Sequence, residues 1–183
     1  MKGIVFNLLG DIVTGQYGAD TWDLLLEQAQ AEGSYTSLGN YPDDELLRIV
    51  AAASAALGQT PQDVVRWFGR SALPVLAARY PQFFLHQNTR DFVLTLNTII
   101  HPEVRKLYPA AQPPDFEFDA SSPDVLVMLY RSRRRLCAFA EGLIEGAAAH
   151  FGETVHIAHA ACLHRGDPHC RLELAFSKAA AAA

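Results

Sequence analysis

The sequence predicts an α+β fold: an N-terminal helical subdomain, then a C-terminal subdomain of a small antiparallel sheet plus helices. Three observations carry this. Apolar residues recur at helical spacing from Ile4 to Leu107. The period changes after the loop Pro109 to Pro114, where Phe116 and Phe118 alternate with Glu117 and Asp119. Two later strand-like runs then flank a Gly166-Asp167-Pro168 turn.

Each element has its own signal. Ile4, Val5, Leu8, Leu9, Ile12 and Val13 line one side of a first helix. Thr21 is placed to cap a second, carrying Trp22, Leu25, Leu26 and Ala29, and Asp43 a third, with Leu46, Leu47 and Val50 inward. Thr60-Pro61 sets a capping hydroxyl before a proline at the first helical position, with Val64, Val65 and Phe68 following. Pro74 is expected to end or kink that segment. One longer helix is expected from about Thr89 through Phe92, Val93, Leu96, Ile99, Ile100 and Val104 to Leu107. Past the loop come a strand around Phe116 and Phe118, a turn at Ser121-Ser122-Pro123-Asp124, and a strand over 125–134. A helix over 136–151 and strands over 154–160 and 170–176 complete the order. Residues 1–177 read as one domain, and 178–183, ending in alanines, as a frayed or disordered tail.

Composition narrows the function. The 183 residues are 50% hydrophobic and 19% charged, which excludes a disordered chain and leaves apolar material for a core with a cavity. A formal net charge of -5 argues against binding nucleic acid through its phosphates. No apolar run approaches the ~20 residues that a membrane span needs. Asn7 and Asp11 interrupt the N-terminal apolar stretch, so no signal peptide is expected. Three cysteines, an odd number, fit a reduced cytoplasmic protein whose thiols are core residues, reactive groups or metal ligands.

Three clusters could carry chemistry. His101 sits on an apolar helix face with Ile99, Ile100, Val104 and Leu107, either as a core histidine or as a ligand. Pro102 directly after it removes a backbone donor and disfavours helix in its neighbour, so a kink is expected there. Tyr130, Ser132 and Arg134 share one face if they lie on a strand. Two hydroxyls and a guanidinium fork suit a carboxylate; the bland reading is a solvated basic strand end. Cys137, His159, Cys162 and Cys170, with His156, His164 and His169 nearby, offer the sulfur and nitrogen donors that zinc prefers, or simply three small core residues.

In this order the clusters resemble the H-NOX family of heme nitric oxide/oxygen-binding domains. The opening MKGIVFNLL, Trp22 and Phe68-Gly69 are similar to its helical half. TLNTIIHPEVRKLYP resembles its axial-histidine helix, and the YxSxR motif stands intact as Tyr130-x-Ser132-x-Arg134 before LIEGAAAHF. The resemblance covers residues 1–177, and the thiol and imidazole set further resembles the zinc-carrying, stand-alone bacterial branch.

The resemblance implies heme b and zinc as cofactors. It implies His101 as the iron ligand, Tyr130, Ser132 and Arg134 as propionate binders, and Pro114, beside Pro113, as the proline that presses on the macrocycle. Pro102 departs from the family pattern. The zinc ligands would be Cys137, His159, Cys162 and Cys170. Oxygen-binding members carry a tyrosine nine residues after the motif tyrosine; here that position is Phe139. Ile4, Val5, Leu9, Leu73 and Leu143 are its expected apolar neighbours on the gas side, with Tyr17 or Asn7 as the polar residues that could intrude. The implied function is a non-enzymatic sensor of nitric oxide, also taking carbon monoxide. It would signal through the histidine to a separate histidine kinase or cyclic-di-GMP enzyme. The alternatives are a zinc/thiol redox switch with heme secondary, or a heme-based oxygen binder.

Overall fold

The structure, a computed structural model, describes residues 1–179. Helix α1 (Gly3–Tyr17) buries Leu8, Leu9, Ile12 and Val13, as its periodicity predicts, and Phe6, which it does not, while Ile4 and Val5 are half-buried. Gly18 ends α1 and begins α2 (Ala19–Ala29), and its φ of 92° lets the chain reverse in one residue. Thr21 therefore lies inside the first turn of α2 and is not its cap; its hydroxyl donates to the Tyr17 carbonyl. Helix α3 (Asp43–Leu57) starts after Pro42, and Asp43 turns its carboxylate outward to other partners. Helix α4 (Pro61–Arg79) is capped as expected, Thr60 Oγ1 accepting from the Asp63 amide. It runs through Pro74 to Arg79. The missing donor costs helix stability, but a later helix over residues 137–150 packs closely along the turns just before Pro74.

The single long helix expected over 89–107 is three pieces. Helix α5 (Thr89–Leu94) is capped by Asn88, a π turn spans Leu96–Ile100, and α6 (His101–Leu107) follows. In the π turn the Ile100 amide reaches the Thr95 carbonyl and the His101 amide the Leu96 carbonyl. Asn97 clasps it to the sheet, its side-chain amide donating to the Phe116 carbonyl at 2.6 Å. The irregularity expected at Pro102 is thus a π turn that ends at Ile100, and His101 itself keeps helical angles.

Four strands form one antiparallel sheet in the order β1-β2-β4-β3. They are β1 (Asp115–Asp119), β2 (Val125–Arg131), β3 (Glu153–Ala161) and β4 (Cys170–Lys178). Strand β2 alternates, burying Leu126, Met128 and Tyr130, which face Leu174, Leu172 and Cys170 of β4. Strand β2 stops at Arg131, so Ser132 and Arg134 are not strand residues. The Arg134 and Arg135 amides bond to Ser132 in a turn closed by Arg135 at φ 52°. Strand β4 reaches Lys178, paired with Glu153, so the tail expected from 178 begins later; residues 180–183 lie outside the described residues.

Helix α7 (Cys137–His150) joins the halves. Its Ala140, Ile144 and Ala147 pack into the sheet core, while Phe139 and Leu143 meet the cluster built by α1 to α4. Against α4 it comes so close that glycine is obligatory: a Cβ on Gly142 would lie 2.9 Å from the Arg70 nitrogen.

Candidate functional site

A cavity of about 390 Å³ opens between the helical half and the sheet half, a size usual for small-molecule sites. Its walls come from α1, α4, the π turn, α6, the Pro109–Pro114 loop, the end of β2 and α7. His101 lines it, 9% exposed and stacked on Phe116 with ring centroids 5.3 Å apart. Its Nδ1 is buried without a hydrogen-bond partner among the described residues. Burial, helped by Arg105 and opposed by Asp115, pushes its pKa down to about 4, so the ring is neutral near pH 7. A neutral, unpartnered imidazole at the edge of an apolar chamber has the form of a metal ligand and not that of a satisfied core residue.

Tyr130, Ser132 and Arg134 line the same cavity although only Tyr130 is on the strand. Burial first, against the pull of Ser132, holds the Tyr130 phenol up at about 12, so it stays a neutral donor. Arg134 Nε donates to Asp43 Oδ1 at 2.9 Å, and a terminal guanidinium nitrogen donates to the Gln112 carbonyl at 2.8 Å. Partial burial raises the Asp43 carboxyl, but hydrogen bonds from the N-terminal ammonium and Arg134 outweigh it and leave it below the usual range. The guanidinium is therefore held at the cavity rim, where it can meet a carboxylate. Pro113 and Pro114 both line the cavity. An imidazole inside, an apolar lining, and a phenol, hydroxyl and guanidinium at one corner fit a heme by its iron and a propionate.

Ile4, Val5, Leu73, Phe139 and Leu143, on α1, α4 and α7, also line the cavity. Leu9 does not. It is packed into the helical core, and Leu8 reaches the cavity in its place. The two polar residues considered as intruders are elsewhere: Asn7 donates to Ser37, and Tyr17 is exposed beside Trp67. Two tyrosines not singled out from the sequence, Tyr80 and Tyr108, do line the cavity, their hydroxyls 3.0 Å apart and joined by one hydrogen bond.

The second cluster assembles at the end of the sheet where β2 finishes and β4 begins. Cys137 opens α7, Cys162 follows β3, Cys170 opens β4, and His159 precedes a bulge in β3. One donor atom from each lies within 4.8 Å of all the others. Cys137 Sγ is 3.9 Å from Cys162 Sγ, which is 4.0 Å from Cys170 Sγ. A tetrahedral ion with metal–sulfur bonds of about 2.3 Å sets its sulfurs about 3.8 Å apart, so the set needs little adjustment to hold one. The local chain is shaped for it: Asp167 accepts from the Cys162 amide at 2.6 Å, and the Leu163 amide points at Cys170 Sγ at 3.3 Å. Burial, and then the neighbouring sulfurs, push the Cys137 thiol up; burial does the same to Cys170. A cation among them reverses that preference and makes them thiolates. His156, His164 and His169 are not in this group; His164 Nε2 pairs with the Arg135 carbonyl instead. Because Tyr130 and Cys170 are partners across β2 and β4, the metal set and the cavity corner are neighbours.

A family model described as haem-NO-binding matches residues 2–159. The fold is similar to that of an H-NOX protein from S. oneidensis, solved in the Fe(II)NO ligation state. Identity is 36%, the TM-score is 0.91, and the match covers 97% of this chain and 100% of that one. The same organism's H-NOX domain in the Fe(II)CO state matches with a TM-score of 0.87 at 36% identity, over 97% of this chain and 99% of that one. Among curated proteins, soluble guanylate cyclase 89Db of Drosophila melanogaster is 26% identical over 137 residues, 73% of this chain. The match spans 20% of that cyclase's length.

Proposed function

This chain belongs to the haem-NO-binding, or H-NOX, family, and on that premise we propose that it is a heme-based nitric oxide sensor without catalysis of its own. The observation that carries the reading is the neutral, unpartnered His101 lining a mostly apolar chamber. His101 would hold the iron; Tyr130, Ser132 and Arg134 would hold a propionate; Pro113 and Pro114 would bear on the ring. Bound heme would supply an iron able to take a diatomic gas, and Phe139 is among the residues that would border that gas.

The chain's own residues then set selectivity and output. Ile4, Val5, Leu73, Phe139 and Leu143 give the gas side no hydrogen-bond donor, which disfavours oxygen and spares nitric oxide and carbon monoxide. Tyr80 and Tyr108 spend one of their two hydroxyl protons on each other. His101 is the first residue of a seven-residue helix behind a π turn, so α6 is joined to the rest of the helical half by its least regular backbone. A change at His101 is thereby free to move α6 without unwinding a long helix, a two-state element of the kind a sensor requires. Asn97 carries that displacement to β1. The output belongs to a separate protein, a histidine kinase or a cyclic-di-GMP enzyme. The Cys137, His159, Cys162 and Cys170 set holds one zinc in a closed structural site that ties α7 to the terminal hairpin. No helix among the described residues is long and apolar enough to cross a membrane, in keeping with a cytoplasmic setting.

Absorption spectra of the ferrous protein alone, in air, and with nitric oxide or carbon monoxide test this directly. His101→Ala should change the ferrous and carbon monoxide spectra, and added imidazole should restore them. Unchanged spectra in that variant would refute His101 as the ligand.

A further inference from the structure

Glu141 stands on α7 one turn beyond Cys137, so both side chains leave the same face of the helix. It is buried, 7% exposed, where an acidic residue is rarely left without a strong partner. It has two. Its Oε1 lies 2.6 Å from Nδ1 of His159, and its Oε2 lies 3.0 Å from a guanidinium nitrogen of Arg66 on α4. The other ring nitrogen of His159, Nε2, is buried with no hydrogen-bond partner among the described residues. It belongs to the residue whose donor sits with three sulfurs in one group. One nitrogen is thus occupied by a carboxylate, and the other is buried and free.

We propose that Glu141 is a positioning residue of the metal centre: its carboxylate accepts the Nδ1 proton of His159, fixes the ring's tautomer and aims the Nε2 lone pair at the metal. The proposal rests on reading Cys137, His159, Cys162 and Cys170 as a metal centre. An imidazole binds metal through an unprotonated nitrogen, so the proton must reside on the other one. A carboxylate there also makes the ring a better donor and stops it rotating. Arg66 has the complementary task. It neutralises the buried carboxylate from the α4 side and is itself shared with Glu145, which it contacts through another guanidinium nitrogen. The chain of contacts runs from metal ligand to α7 to α4, the helix whose Leu73 lines the cavity.

The experiment measures zinc affinity of the folded protein by competition with a chromophoric chelator, with cobalt(II) absorption as a second readout. Glu141→Ala should weaken zinc by about 10–100-fold, the usual effect of removing such a partner. Glu141→Gln, which keeps an acceptor but loses the charge, should fall between. The cobalt protein should keep its thiolate charge-transfer bands while the ligand-field bands shift, because three sulfurs remain and the imidazole is loosened. Arg66→Gln should cost less than Glu141→Ala. The decisive background is His159→Cys, which supplies a fourth ligand that has no tautomer to fix: there, Glu141→Ala should cost nothing further. An equal loss in both backgrounds would make Glu141 a merely structural acid and overturn the proposal, as would unchanged affinity in Glu141→Ala. Absence of zinc and cobalt binding by the parent protein would instead sink the metal-centre reading on which it rests.

Discussion

Replacing Gly142 by alanine should loosen the seam between α4 and α7, and the structure gives the size of the effect. The new Cβ would meet the Arg66 carbonyl oxygen head on and lie 2.9 Å from both the Arg66 carbonyl carbon and the Arg70 nitrogen. Non-bonded heavy atoms settle at about 3.5 Å or more, so the helices must part by at least roughly 0.6 Å. Both obstacles are backbone, so no side chain can swing aside. Overpacking of this kind typically costs about 1–3 kcal/mol. Because both obstacles are backbone, the cost here belongs at the upper end, about 2–3 kcal/mol; alanine's better helix propensity returns roughly 1 kcal/mol, leaving a net loss of about 1–2 kcal/mol. For a chain of this length that lowers Tm by roughly 2–8 °C. Gly15 is the control: it is exposed near the end of α1, and a Cβ there meets nothing within 4 Å. Gly15→Ala should therefore raise Tm by a few degrees. Thermal unfolding followed by far-ultraviolet circular dichroism reads both. If Gly142→Ala melts at or above the parent, or the two variants shift alike, the close approach of α4 and α7 is wrong.

Two further predictions concern the cavity. Arg134→Ala should speed heme loss to apomyoglobin by about 10–100-fold, since a charge-assisted hydrogen bond is worth roughly 1.5–3 kcal/mol. Arg131→Ala, whose guanidinium pairs with Glu117 at the surface, should leave the rate alone; equal effects would show that only net charge matters. On the gas side, the reduced parent protein should form no stable oxygen complex in air. Phe139→Tyr should strengthen oxygen binding by roughly tenfold, the worth of one buried hydrogen bond, with little change for carbon monoxide. A persistent oxygen spectrum in the parent would refute the selectivity reading.

What the sequence reveals follows from how local each determinant is. The helices α1 to α4 and the alternation of β2 are written in hydrophobic periods, and Thr60-Pro61 marks its helix start through a local hydrogen bond. His101 and the YxSxR residues were legible as types at a spacing, and the cavity gathers all four even though β2 ends before Ser132. The π turn was not legible. It depends on Pro102 withholding a donor while Asn97 reaches a carbonyl on β1, a strand not adjacent in sequence. Leu8 and Leu9 were indistinguishable because an apolar run buries both, and only the neighbouring elements decide which one borders the cavity. Thr21 lost its capping role to Gly18, whose positive φ already turns the chain. Glu141 looked like any acid on a helix; its meaning lies in His159 and Arg66, both far away along the chain.

The place of α7 also governs the order in which this molecule can be assembled. The cavity takes lining residues from Met1 to Ile144. The seam between α4 and α7 joins stretches some seventy positions apart, residues 61–79 and 137–150. Closing a loop that long is entropically slow. During synthesis, the first four helices and His101 emerge well before the wall that faces them. No chamber exists until α7 has left the ribosome and docked. Residues 153–178 then complete the sheet beneath it. A nascent chain halted before Cys137 would present the apolar faces of α1 and α4 bare to water, so elongation through this stretch is the interval in which the protein most needs protection from aggregation.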